Sequence, residues 1–271
     1  MSLISSSTTF RILVVEDNLT NQKVIVRQLE SLGYEADVAA NGQAALDAVS
    51  QNPYQIIFMD CRLPGIDGYT ATRLIRQREQ LGSSRSIIIA LTASDDLQIQ
   101  AEAKAAGMDD FLAKPLRRET LAATLERWIQ IAKQGDADLI QSKSEPASEN
   151  GSVAWATHLD LIRLHQLSDH NPEFEQELLQ LYLNDTQTHL QQLQEMIERR
   201  NLSQIERIAH HIRGSSASIG ASKLEAIAEA IEQHAKQRHL DAACDLAKQL
   251  EQKFAQLQQV LAELAQPIQA R

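Results

Sequence analysis

The sequence predicts two folds in one chain: an α/β unit built on a five-stranded parallel sheet, then an all-α four-helix bundle. Three observations predict this. In the first half, short apolar runs alternate with amphipathic stretches of helical length, the pattern of strands buried on both faces beneath covering helices. In the second half no strand pattern appears, and apolar residues recur at helical spacing. All eight histidines lie at or beyond His158, so the halves differ in chemistry as well as in pattern.

The totals agree with a two-domain globular chain. Its 271 residues are 43% hydrophobic and 23% charged, room for roughly two domains that each bury a core. A formal charge of -10 argues against a nucleic-acid surface, which needs clustered Lys and Arg to meet phosphates. Cys61 and Cys244 lie far apart and form no C-x-x-C spacing, which suits a reducing compartment. The first nine residues lack a basic start and an apolar core of signal-peptide length. No run approaches the roughly 20 apolar residues of a membrane span. The expectation is a soluble, cytoplasmic protein.

In the α/β unit, Arg11 to Val15 reads as a buried strand, and Asn18 to Leu32 as a helix stopped by Gly33. Glu35 to Val38 is the second strand, and Gly42 to Gln51 a helix closed by Pro53. Gln55 to Met59 is the third strand, followed by a helix from Tyr69 to Gln80. Ser86 to Leu91 is the fourth, with a helix from Asp95 to Ala106 stopped by Gly107. Asp110 to Ala113 is the fifth, and Arg117 to Ile131 the last helix.

Ligands of such sheets bind beyond the carboxyl ends of the strands, at the point where strand order reverses. Glu16 and Asp17 stand at the end of strand one, Asp60 at strand three, Thr92 at strand four, and Lys114-Pro115 at strand five. Each residue alone has a plain reading: Asp60 as a turn former, Glu16 and Asp17 as helix caps, Thr92 as strand filler, Lys114 as a solvated surface cation. Together they make a different proposition. Crowded carboxylates repel, and a hard cation such as Mg2+ relieves the repulsion while it also holds substrate phosphate. Lys114 and the Thr92 hydroxyl would meet the remaining phosphate oxygens, and Asp60 would be the nucleophile of a phosphoryl transfer.

The set E-D after strand one, M-D-x-x-L-P-G-I-D-G around Asp60, L-T-A at strand four and F-L-A-K-P at strand five resembles a response-regulator receiver domain. The resemblance covers about the first 130 residues and implies the flavodoxin-like strand order. It implies Asp60 as phosphoacceptor, with Glu16, Asp17, Asp60 and the backbone carbonyl of Arg62 as the Mg2+ ligands. It implies that Thr92 and Lys114 contact the phosphoryl group, and that Thr92 and Phe111 form the switch. Phe111 stands where many members carry Tyr. Arg62 and Ser94 occupy positions that tune dephosphorylation.

The receiver domain is expected over residues 10–131, a flexible linker over 132–154 and the bundle over 155–267. The linker, KQGDADLIQSKSEPASENGSV, has too few large apolar residues to order itself. A coil of about 22 residues spans about 25 Å and sets an effective concentration on the order of millimolar between its ends.

In the second half, Leu159 to Leu167 reads as a short leading helix, and four apolar stripes follow. They run through Phe174 to Ile197, Ile205 to Ile219, Leu224 to Ile231, and Leu240 to Leu264. On the second stripe, helical arithmetic places His210 about 160° from the apolar centre, facing water, and His211 about 100° away on the flank. Gly214, one turn on, costs up to about 1 kcal/mol relative to alanine. Its lack of a side chain leaves room beside His210, and Arg213 adds a cation at i+3. An accessible imidazole, space and positive charge suit a nucleophile that carries a phosphoryl group. The plain reading is a surface histidine with Gly214 as a helix-packing position. The remaining histidines read as surface or packing residues, and Tyr182, Trp155 and Trp128 as core or capping aromatics.

The run A-H-x-I-R-G-S-S-A-x-x-I-G within an all-helical stretch resembles a histidine-containing phosphotransfer (HPt) domain, which implies His210 as a second phosphoacceptor beside Arg213. The dimerisation helices of histidine kinases differ by a proline one turn after their histidine, and no Gly-rich nucleotide-binding region is seen. The expected function is a phosphorelay without an ATP-binding kinase domain of its own. A sensor histidine kinase is the expected upstream partner and a response-regulator receiver domain the downstream one, with no nucleic acid and no membrane. Two rivals are a phosphatase with Asp60 as transient nucleophile, and a phospho-regulated docking module without transfer through His210.

Overall fold

A computed structural model describes residues 10–80, 82, 84–92, 97–134, 159–168 and 170–264. Residues 135–158, and with them most of the expected linker together with Trp155 and His158, lie outside the described residues, as does Ser94. The chain divides into two compact units, Met1–Leu121 and Ala122–Arg271.

In the first unit the apolar runs form β1 (Ile12–Val15), β2 (Ala36–Ala39), β3 (Ile56–Asp60), β4 (Ile87–Thr92) and β5 (Asp110–Ala113). All pairings are parallel, in the order β2-β1-β3-β4-β5. Ile12 pairs with Ile56 and Ile56 with Ile87, so β1, β3 and β4 run in step. The chain leaves β1 in one direction for β2 and crosses back for β3, which opens a crevice at the carboxyl ends of β1 and β3. Every residue of β1, β3 and β4 is buried, as strands covered on both faces must be.

The edge strand β2 lies one residue later than its pattern predicts. Asp37 and Val38 are exposed there and only Ala39 is buried. With water on its outer side, β2 carries a weaker apolar signal than the central strands.

The connecting helices are α1 (Leu19–Ser31), α2 (Gly42–Gln51), α3 (Gly68–Glu79), α4 (Leu97–Ala106) and α5 (Arg118–Gln134). Asx caps start the first three: Asn18 accepts from Asn21 N, Asn41 from Ala44 N and Asp67 from Thr70 N. Leu13, Val15, Ile57, Met59, Ile88 and Ala90 pack with Leu46, Ala71 and Ile75 on one side of the sheet. Below the opposite edge, Arg76 donates to Gly107 O, Ser86 O, Glu79 and Asp109, tying α3 to the starts of β4 and β5.

The second unit contains α6 (Leu161–Leu167), α7 (Pro172–Glu198), α8 (Leu202–Ile219), α9 (Ser222–Lys236) and α10 (Leu240–Leu264). Asp160 caps α6, and Asn171 caps α7 with Pro172 at its first position. α8 packs against α7 and α9, and α10 against α9 and α7, which closes a four-helix bundle; α6 packs on α8. Leu178, Leu193, Ile205, Ile212, Ile219, Ile231, Leu250 and Phe254 fill the core. Tyr182 is fully buried among them, its hydroxyl 2.9 Å from Ser216 Oγ. Among the described residues no helix is long and apolar enough to cross a membrane.

Candidate functional site

The strand ends converge. Asp60 ends β3 and Thr92 ends β4; both are buried, and Lys114 N donates to Thr92 O at 2.6 Å just beyond β5. Lys114 Nζ lies 2.7 Å from Asp60 Oδ2 and 2.5 Å from Glu16 Oε2. One ligand oxygen from each of Glu16, Asp17 and Asp60 falls within 4.8 Å of the others. Asp60 Oδ1 accepts from Arg62 N at 3.0 Å, as a turn-forming aspartate would. Its second oxygen faces Lys114, which a turn role alone does not require.

The backbone around the pocket is made to fit. Gly65 holds φ +76° in the turn after β3, a region where a side chain is strained. Gly68 packs so closely on the preceding strand that an added Cβ would fall 2.0 Å from the Asp60 carbonyl oxygen. Asn18, not Glu16 or Asp17, caps α1. Glu16 is instead fixed from both sides, accepting from Asn21 Nδ2 at 3.0 Å and, through its carbonyl, from Gln22 Nε2 at 2.6 Å.

Electrostatics separate the groups. Burial pushes the Glu16 carboxyl up to about 7, with the Asp60 charge adding to the rise against the pull of Lys114. Burial alone would lower the Lys114 ammonium, yet the Asp60 and Glu16 charges outweigh it and raise its pKa. Lys114 therefore remains a cation. The cluster holds more acid than one lysine neutralises, and its all-oxygen donor set fits a hard divalent cation such as Mg2+. Phe111 is half-buried against the core beneath this edge.

On the bundle, His210 does not face water as its helical angle predicts. Its side chain is 18% exposed, with Nδ1 3.2 Å from Glu232 Oε2 on α9. Glu232 is itself 1% exposed and also meets Arg213 Nε at 3.2 Å and Lys236 Nζ at 2.6 Å. Arg213 Nη2 stands 3.2 Å from the same His210 nitrogen. Burial would raise the Glu232 carboxyl, but hydrogen bonds from His210 and Lys236 and the charges nearby hold it down at about 2. An ionised, buried acceptor beside Nδ1 draws the ring proton to that nitrogen and leaves Nε2 with its lone pair.

Two features escaped the sequence reading. Glu232 looked like any charged helical residue, yet it sits between Ala228, Ile231 and Ala235 on the apolar stripe of α9; a carboxylate within such a stripe is the available signal. His189 reads from sequence as a surface or packing residue and His211 as a residue on the flank of its helix. They stack with ring centroids 3.9 Å apart, and His211 Nε2 lies 3.0 Å from Asp185 Oδ2.

Both units have counterparts among known proteins. Residues 12–126 match the response regulator receiver domain, and residues 177–265 match the Hpt domain. The hybrid signal transduction protein dokA of Dictyostelium discoideum is 46% identical over 125 residues, which cover 46% of this chain and 7% of that protein. The virulence sensor protein BvgS of Bordetella bronchiseptica is 27% identical over 231 residues, 84% of this chain and 18% of that protein. The chain thus spans 7% to 18% of the length of these curated relatives. A solved receiver domain of the sensor histidine kinase PA1611 from Pseudomonas aeruginosa PAO1, with a magnesium ion in its active site cleft, is 46% identical. The match covers 45% of this chain and 98% of that one, with a TM-score of 0.42.

Fold and motifs together define two modules, a receiver domain bearing an acidic pocket and an Hpt domain bearing a helix-borne histidine. The chain thus joins a response regulator receiver domain to an Hpt domain.

Proposed function

We propose that the chain carries a phosphoryl group from a histidine kinase to Asp60, and from Asp60 to His210 and onward to a second receiver. The observation that carries this reading is the pairing of Lys114 with both Asp60 and Glu16 inside a cluster of three carboxylates. Glu16, Asp17, Asp60 and the carbonyl of Arg62 would hold Mg2+, which when bound draws charge from phosphate oxygens. Lys114 neutralises a further oxygen, and the Thr92 hydroxyl donates to another.

In the first step an Asp60 oxygen attacks phosphorus as the N–P bond of the donor phosphohistidine breaks and its electron pair returns to the imidazole. In the second, His210 Nε2 attacks phosphorus as the Asp60 O–P bond breaks, regenerating the carboxylate. Glu232 keeps the His210 proton on Nδ1 and stabilises the positive charge that the ring gains, while Arg213 stands ready for the incoming phosphate. The protein acts as a carrier, its domains spanning about residues 10–131 and 155–267. Transfer of label from a phosphorylated kinase should be abolished by Asp60→Ala; undiminished loading of that variant overturns the first step.

A further inference from the structure

α7 and α8 bring together three side chains that this relay does not use. Asp185 and His189 stand one turn apart on α7, a D-x-x-x-H spacing that puts both on one face, and His211 reaches them from α8. His189 and His211 stack with planes 20° from parallel. One ligand atom of each of the three residues lies within 4.8 Å of the others. The side chains of Asp185, His189 and His211 are only 11%, 18% and 12% exposed.

The arrangement is chemically pointed. His189 Nδ1 lies 2.8 Å from the Asp185 carbonyl oxygen, which only an N–H can satisfy, so in the neutral ring the lone pair is on Nε2. A ring whose far nitrogen is anchored on a backbone carbonyl is the usual posture of a metal-binding histidine. Asp185 supplies the anionic oxygen: burial would raise its carboxyl, yet hydrogen bonds from His189 and His211 hold it well below the ordinary range. Two nitrogens and one carboxylate suit a borderline cation that takes three protein ligands and a water, whereas Mg2+ prefers oxygen alone. In a tetrahedral zinc site neighbouring donor atoms stand about 3.3 Å apart, within the 4.8 Å that bounds the donor spacing here.

We propose that Asp185, His189 and His211 form a transition-metal site, with Zn2+ the best-fitting occupant, which clasps α7 to α8 next to His210. The site stands apart from the relay chemistry, and either can fail without the other.

The test uses the full chain with millimolar Mg2+ present to occupy the acidic pocket. Zn2+ is titrated in competition with a chromogenic chelator, for wild type, His189→Gln and His211→Gln. We expect one zinc per chain in wild type and a loss of affinity of about 100-fold or more in each variant, beyond the range that outer-shell changes produce. Equal binding by all three proteins, or no binding to wild type below millimolar zinc, overturns the proposal. Should a variant lose its helical circular dichroism, X-ray absorption of zinc-loaded wild type decides: two imidazole nitrogens with oxygen support the site, and a shell of oxygen or sulfur alone overturns it.

Discussion

Gly68 shows how narrowly single atoms hold the acidic pocket. A methyl group there would collide with the Asp60 carbonyl at 2.0 Å, and backbone cannot give way as a flexible side chain can. Gly68→Ala should therefore cost about 2 kcal/mol or more by urea unfolding, by the usual cost of overpacking, and should slow phosphate uptake by Asp60. Glu232 supplies a pH prediction of definite sign. Its carboxyl is held at about 2 in the folded bundle against an ordinary 4.5, so its contribution is present above pH 4.5 and lost as pH falls toward 2. That contribution is on the order of 2–3 kcal/mol. The stability gap between wild type and Glu232→Gln, read by denaturant unfolding, should shrink across that window. The convergence of the candidate residues at the strand ends was legible because long apolar runs in β1, β3 and β4 point to one edge. The half-buried setting of His210 was not, because a helical angle locates a side chain on its own helix and says nothing of the carboxylate that α9 lays across it.

Elements were legible in proportion to how fully they are buried. β3 and β4 announce themselves by unbroken apolar runs, whereas β2 at the sheet edge exposes Asp37 and Val38 and shifts by a residue. α1, α2, α3, α6, α7 and α8 start at Asn or Asp caps, α9 starts without a side-chain cap, and α8 ends where Gly220 adopts φ +81°. What the sequence could not convey is which residues meet across helices: His189 and His211 lie 22 positions apart, and only the packing of α7 on α8 stacks them. The same pair of helices is joined by the buried Tyr182 hydroxyl on Ser216. Tyr182→Phe should lower bundle stability by about 1–2 kcal/mol in denaturant unfolding, since it strands the Ser216 hydroxyl.

At the scale of the whole molecule, the chain places Asp60, the proposed former of a phosphoanhydride, and His210, the proposed former of a phosphoramidate, in separate folds. The acid pocket is crowded and rests on Lys114, whereas His210 rests on one buried carboxylate and Arg213. An acyl phosphate and a phosphoimidazole are both high-energy, so the group can move between them without a further energy source. His210→Gln should block onward transfer to a second receiver while His211→Gln leaves it intact; equal loss in both variants would remove His210 from its role. The most direct measurement is time-resolved mapping of phosphate by mass spectrometry at neutral pH, after wild-type protein meets acetyl phosphate and Mg2+. The account predicts phosphate on Asp60 first and on His210 afterwards, with neither site filled in Asp60→Asn. Phosphate on His210 in that variant, or none on His210 when Asp60 is fully loaded, would contradict it.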